Sequence, residues 1–289
     1  MKKILLLTDF SEASRNALSF ARSFFSDTVV DFHLLCANVA EIDEPGTPDT
    51  TARPTPTSNA GQLHNVVTAL RREATNDWHT FRSSSWPGEA LDAVEQAVKA
   101  EGYDFVVIGP QSDETDELFG NSAITLVRRL RANVLVVPGD ARPQPVHQIV
   151  LAADFANLKN SKLLGPLKEL VILKGATLTL LTIDTPNKDI IRIEREARIR
   201  QFLHPIVPSI VRMQSPSAKR GIDAYLTAHP VDLLVTIPKY NDRSETLTSS
   251  RVTRLRAFAP AVPLLTLYDD GGNDRPQPIN DLTNEEYAL

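Results

Sequence analysis

Residues 4–7, 105–108 and 134–137 are short runs in which every side chain is apolar, and residues 32–36 form a weaker one. Runs without polar alternation suit strands buried on both faces, as in a parallel sheet. Between them the apolar residues recur with a helical period. Residues 11–25 put Ala13, Ala17, Phe20, Ala21 and Phe24 on one face, with Ser11 placed to cap the first turn. Residues 63–81 predict a second helix, residues 89–100 a third that stops at Gly102, and residues 122–131 a fourth. Strands and helices thus alternate from strand to strand. That order predicts an α/β fold with a doubly wound parallel sheet.

The pattern then occurs again. Ile4-Leu5-Leu6-Leu7-Thr8-Asp9-Phe10 returns as Ile149-Val150-Leu151-Ala152-Ala153-Asp154-Phe155. His33-Leu34-Leu35 corresponds to Thr179-Leu180-Leu181, and Asp104-Phe105-Val106-Val107 to Asp232-Leu233-Leu234-Val235. Val134-Leu135-Val136-Val137 corresponds to Pro263-Leu264-Leu265-Thr266. A repeat of this length is a whole domain, not a solenoid unit. The expected division is a first domain over residues 1–140, a linker over 141–147, a second domain over 148–270 and a mobile tail over 271–289. The linker holds Arg142-Pro143-Gln144-Pro145, a stiff sequence. Residues 41–60 are rich in Pro, Thr and Asp and read as an exposed loop that the second copy lacks.

Composition adds limits. The 289 residues suit two domains, and 42% hydrophobic with 23% charged residues is ordinary for a water-soluble protein. A net charge of −5 gives no general pull toward nucleic acid or anionic membrane. The lone cysteine, Cys36, excludes a disulfide framework and reads as a small buried hydrophobe. The first apolar run meets Asp9 too early for a secretory leader, and no run is long enough to span a bilayer. A cytoplasmic location is the expectation.

Candidate chemistry is sparse. The six histidines lack metal-ligand spacing, and there is no Walker A loop, Gly-x-Gly-x-x-Gly fingerprint or nucleophile elbow. Arg128, Arg129 and Arg131, and again Arg251, Arg254 and Arg256, read as partners of a helix C-terminus, not as a nucleic-acid patch. Trp78 and Trp86 read as core residues; exposure of either would mark an interface.

A strand ending in Thr8-Asp9-Phe10-Ser11 before an Ala-rich helix resembles the universal stress protein family. So does Tyr103-Asp104-Phe105-Val106-Val107-Ile108-Gly109 followed by Gly120-Asn121-Ser122 and Asn133-Val134-Leu135-Val136-Val137-Pro138. The tandem order is similar to the two-domain branch of that family. The resemblance implies that the two last strands, residues 134–137 and 263–267, pair antiparallel inside one chain as a pseudo-dimer. In nucleotide-binding members the first-strand aspartate contacts the nucleoside, and a Gly-x2-Gly-x9-Gly-Ser/Thr motif wraps the phosphates. By similarity, Asp9, Ala37, Gly109, Gly120, Asn121 and Ser122 occupy the binder positions, with ATP or another adenine nucleotide as the implied ligand.

The residues depart from that motif. Ser112 replaces the second glycine, the following spacer is two residues short, and it carries Asp113, Glu114, Asp116 and Glu117. Four carboxylates repel a triphosphate unless a divalent cation intervenes. Pro110 removes one N–H donor. In the second copy Ile237 replaces the first glycine, and Ser249-Ser250-Arg251 stands where Gly120-Asn121-Ser122 stood. Asp9 and Asp154 can equally cap the helices that follow them. The expectation is a non-catalytic module in stress adaptation that contacts a small ligand in the first domain, a protein partner or another copy of itself. Its nucleotide affinity is expected to be weak or lost. The alternatives are a metal-dependent nucleotide hydrolase using the acidic loop 113–117, and a pure interaction scaffold without small ligand.

Overall fold

The computed structural model describes residues 1–38, 56–73, 78–110, 129–155, 158, 160–184, 193–237 and 262–269. The first half comprises β1 (Lys2–Leu7), α1 (Glu12–Phe24), β2 (Val30–Asn38), α2 (Pro56–Glu73), β3 (His79–Pro87), α3 (Ala90–Glu101), β4 (Phe105–Ile108) and β5 (Asn133–Val136). The second comprises β6 (Gln148–Ala152), a 3-10 turn (Ser161–Leu164), α4 (Gly165–Lys174), β7 (Thr177–Asp184), α5 (Ile193–Leu203), β8 (Ser209–Gln214), α6 (Ala218–Ala228), β9 (Leu233–Thr236) and β10 (Leu264–Thr266).

All ten strands form one sheet, in the order β3-β2-β1-β4-β5-β10-β9-β6-β7-β8. Each half is a parallel five-stranded set with the same internal order, so the fold expected from the repeat is the fold observed. The halves meet where β5 and β10 run antiparallel, pairing Val134 with Thr266, Leu135 with Leu265 and Val136 with Leu264. Pro263 lies just before β10, and its carbonyl accepts the Leu234 N–H at 3.0 Å. Standing before the first strand residue, it is at a place where proline is tolerated. Asn133 closes the seam: its Oδ1 accepts the Tyr268 N–H and its Nδ2 donates to the Asp104 carbonyl, both at 3.0 Å.

Alternation within the strands sorts the two faces. In β1, Ile4 and Leu6 point to one face with α1 and α2, while Leu5 and Leu7 point to the other with α3. Right-handed crossovers require this, because the chain steps one way for its first two crossovers and the other way for the next. The second half obeys the same logic, with α4 and α5 on the α1 face and α6 opposite. One core therefore continues across the seam, from Phe32 and Phe105 through Leu135 and Leu265 to Leu151 and Leu180. Ion pairs also cross between the halves: Lys174 reaches Asp27 at 2.8 Å, and Lys2 reaches Glu169. Exposed pairs of this kind add little beside the shared apolar core.

Local signals explain the helix ends. Ser11 caps α1 by accepting the Ser14 N–H at 3.2 Å, and Ala17, Phe20, Ala21 and Phe24 are buried. Gly102 ends α3 with φ +64° and donates to the Val98 carbonyl. The region around α2 requires a correction. The helix expected over residues 63–81 runs from Pro56 to Glu73, and His79–Pro87 is a strand. Proline is at home in a helix's first turn, which moves the start earlier. The aromatic and β-branched cluster Trp78-His79-Thr80-Phe81 suits a strand better than a helix. The loop expected over residues 41–60 thus gives way to helix at Pro56, and residues 41–55 lie outside the described residues. The core assignment of the tryptophans is also corrected: Trp78 is 53% exposed and Trp86 41%. Trp86 sits on β3, an outer strand with a neighbour on one side only, and Trp78 immediately precedes that strand.

The segment expected as a linker is tied down at both ends. Asn16 Nδ2 donates to the Pro138 and Ala141 carbonyls at 3.0 Å each. The Asp232 carboxylate accepts the His147 and Gln148 N–H groups at 2.8 Å each. Val146 between them is buried.

Candidate functional site

In a strand order of β2-β1-β4, the chain reverses its direction of travel between β1 and β4. Open α/β sheets place ligands at the carboxyl ends of the strands beside such a reversal. Asp9 follows β1, Gly109 follows β4, and Ala37 lies near the end of β2, so the fold brings these three candidates to the carboxyl ends of three adjacent strands. Gly120, Asn121 and Ser122, and the acidic loop 113–117, lie outside the described residues.

The turn after β1 is fixed by several bonds at once. Asp9 Oδ1 accepts the Ser11 N–H at 3.0 Å, an Asx-type turn that sets up the helix, whose cap is Ser11 and not Asp9. Phe10 takes φ +63°, a left-handed conformation unusual for a residue with a side chain. Its N–H donates to Thr8 Oγ1 at 3.2 Å, and its carbonyl accepts Arg15 Nε at 3.0 Å and Nη2 at 2.6 Å. Strain persists only where its surroundings over-determine it, and these bonds do so here. Nothing in Asp9-Phe10-Ser11 signals a left-handed residue, since glycine or asparagine is the usual occupant.

Gly109 has a packing reason to be glycine. A Cβ there would stand 2.3 Å from the Ala13 carbonyl oxygen and 3.0 Å from Ala17 Cβ. The end of β4 therefore presses directly on the α1 backbone. Ala37 pairs with Trp86 across β2 and β3 and packs against the core on the α3 face. Cys36 beside it is buried. Burial, then the Asp9 charge, pushes its thiol up to about 11, so it stays protonated and unreactive. In the second half Asp154 holds the position of Asp9, and Ile237 follows β9 where Gly109 follows β4. Residues 249–251 lie outside the described residues.

Two features escaped the sequence reading. A cavity of about 320 Å³ opens between α1 and α2, with Leu6, Phe10, Arg15, Leu34 and Val66 in its wall. Asp9, Ala37 and Gly109 do not line it. The second feature is a polar cluster on the α3 face. His33 Nδ1 meets Tyr103 Oη at 2.5 Å, and Nε2 meets Ser84 Oγ at 2.7 Å. Arg82 donates to Asp31 Oδ2 and Tyr103 Oη at 3.0 and 3.3 Å and pairs with Glu101. Glu101 is held below the usual carboxylate range by that guanidinium. Only the alternation of His33 with apolar neighbours hinted at a buried histidine. Arg129, one of the clustered arginines, pairs with Glu95 of α3 at 2.7 Å.

The cluster makes stability depend on pH. Burial first, then the Arg82 charge, holds His33 below its ordinary 6.5. The unfolded chain thus binds this proton more readily than the folded one. The contribution is complete above pH 6.5 and is lost as pH falls through the folded value. Denaturant midpoints are expected to decline below pH 6.5 in the wild type and to decline less in His33→Gln. Equal slopes for the two proteins would remove His33 from the account.

The Usp model of the universal stress protein family matches residues 1–138. Residues 1–138 belong to the universal stress protein family. No curated protein matches the chain in sequence. Among solved structures, a universal stress protein from Archaeoglobus fulgidus DSM 4304 superposes with a TM-score of 0.67 at 15% identity, covering 92% of this chain and 97% of that one. A functionally unknown protein from Pseudomonas aeruginosa PAO1 gives 0.61 at 15%, covering 94% of each chain. A putative universal stress protein from Pseudomonas aeruginosa UCBPP-PA14 gives 0.59 at 14%, covering 92% and 93%. These are likenesses of fold, and they extend over both halves of the chain. Among the described residues, no helix is long and apolar enough to cross a membrane.

Proposed function

We propose that this chain is a tandem universal stress protein: a non-catalytic module in stress adaptation that works by contacting a ligand or a protein partner. Residues 148–270 serve as a degenerate second copy of the domain in residues 1–140. Adenine-nucleotide affinity is weak or lost, and any that persists belongs to the first half. The observation that carries this reading is the packing of Gly109. The glycine that a phosphate loop would require is already required by contact with α1. The Asp9 carboxylate likewise serves the turn that starts α1. Both residues can therefore persist after a phosphate cradle has gone, and Ser112 with the carboxylates at 113, 114, 116 and 117 is the sequence expected once it has.

Titration calorimetry with ATP and Mg²⁺ tests the proposal. No heat of submicromolar binding is expected, and submicromolar affinity would overturn the reading. Metal-dependent hydrolysis that disappears in Asp113→Asn would replace it with the hydrolase alternative.

A further inference from the structure

Because β5 and β10 cover each other at the seam, the sheet ends in two outer strands, β3 and β8. β3 is the longer, with nine residues against six. The register with β2, and the Val30 N–H bond to the Trp78 carbonyl, commit the even-numbered peptide groups of β3 to β2. The peptide groups of His79, Phe81, Ser83 and Ser85 face away from the sheet. The Phe81 carbonyl, which accepts Arg71 Nη2 at 2.7 Å, marks that outward direction.

Among the described residues this edge is lightly guarded, with Arg71 reaching its Phe81 carbonyl. Outer strands of monomers are protected by outward charges, bulges or a proline within the strand. The ion-pairing side chain of β3, Arg82, is turned back onto Asp31, Glu101 and Tyr103. Ser83, Ser84 and Ser85 are small, and the one proline, Pro87, stands at the far end. Trp86 within the strand and Trp78 just before it are both exposed. β8 is shorter, and its Arg212 is likewise paired, with Glu196 at 2.6 Å.

We propose that β3 pairs antiparallel with β3 of a second copy of this chain, about a two-fold axis at Ser83. The outward groups fit such a ladder. Ser83 meets Ser83 as a hydrogen-bonded pair, and Phe81 meets Ser85 likewise, using the second lone pair of the Phe81 carbonyl. Thr80 then stands opposite Trp86 of the second copy in the closer, non-hydrogen-bonded type of pair, with Trp78 on the diagonal. Each exposed indole at position 86 is covered by Thr80 and Trp78 from the other copy. Pairing of β3 with itself closes after two chains, whereas β3 with β8 would grow an open filament.

Sedimentation equilibrium on the full chain tests the pairing, with a dimer expected in the micromolar range. Ser83→Pro and Ser85→Pro remove outward N–H groups and no bond to β2. Each is expected to raise the dimer dissociation constant about tenfold or more, with an unchanged circular dichroism spectrum, while Ser83→Thr retains the dimer. Trp86→Ser leaves the backbone donors in place and is expected to weaken the dimer in the same direction. In Trp78→Phe, Trp86 is the sole indole, and its emission is expected to shift to the blue as the dimer forms. A chain that stays monomeric, an open-ended assembly, or a dimer indifferent to both proline variants would overturn the proposal.

Discussion

Gly109→Ala is expected to lower stability by about 2 kcal/mol or more, with a matching fall in the denaturant midpoint. The new methyl group would lie 2.3 Å from a backbone oxygen, so no rotamer change relieves the contact. Helix α1 cannot easily retreat. Its Asn16 side chain bonds two carbonyls of the segment after β5, and Phe20 and Phe24 are locked into the core. Gly139→Ala is the control, because a Cβ there meets nothing within 4 Å. Its effect is expected to stay within about 0.5 kcal/mol. The comparison also bears on function. Wild-type stability in Gly109→Ala would mean that packing does not require this glycine, and the phosphate-loop explanation would regain its force.

The contrast between Gly109 and Phe10 shows what the sequence could disclose. Fully apolar strands and the Ser11 cap are local signals, so β1, β4, β5, β6 and α1 were legible from residue order alone. The antiparallel pairing of residues 134–137 with 263–267 was legible through the family resemblance, and the strand registers bear it out. Phe10 was not legible, because its left-handed backbone is held by local side-chain bonds to Thr8 and Arg15 that no residue type at this position announces. The α2–β3 boundary failed because a helical period in residues 63–73 runs on into a polar-apolar strand pattern without an intervening glycine or proline. The exposure of Trp78 and Trp86 depends on which strand is outermost, and that is decided by topology. For the site, Asp9, Ala37 and Gly109 lie at the carboxyl ends of adjacent strands, but the packing demand on Gly109 needed α1 in place to be seen.

Leu265→Ala should destabilise the whole chain by about 2–5 kcal/mol, in a single unfolding transition. Leu265 and Leu135 are each 1% exposed and stand opposite one another in the only antiparallel pairing of the described sheet. Both belong to the core that continues from one half into the other. A cavity at this point loosens contacts that neither half can replace alone. The pair should also couple: Leu135→Ala with Leu265→Ala is expected to depart from additivity by about 0.5–3 kcal/mol. Leu265→Ala combined with Leu63→Ala of α2 should add within about 0.5 kcal/mol, as distant sites do. Tryptophan fluorescence, excited selectively, follows Trp78 and Trp86, which both lie in the first half. Far-ultraviolet dichroism follows all helices. Coincident transitions by both probes in Leu265→Ala would show that a second-half substitution unfolds the first half with it. Separate transitions, with the tryptophan signal unmoved, would mean that the seam joins two independently stable halves, and its shared core would then not be what holds the sheet together.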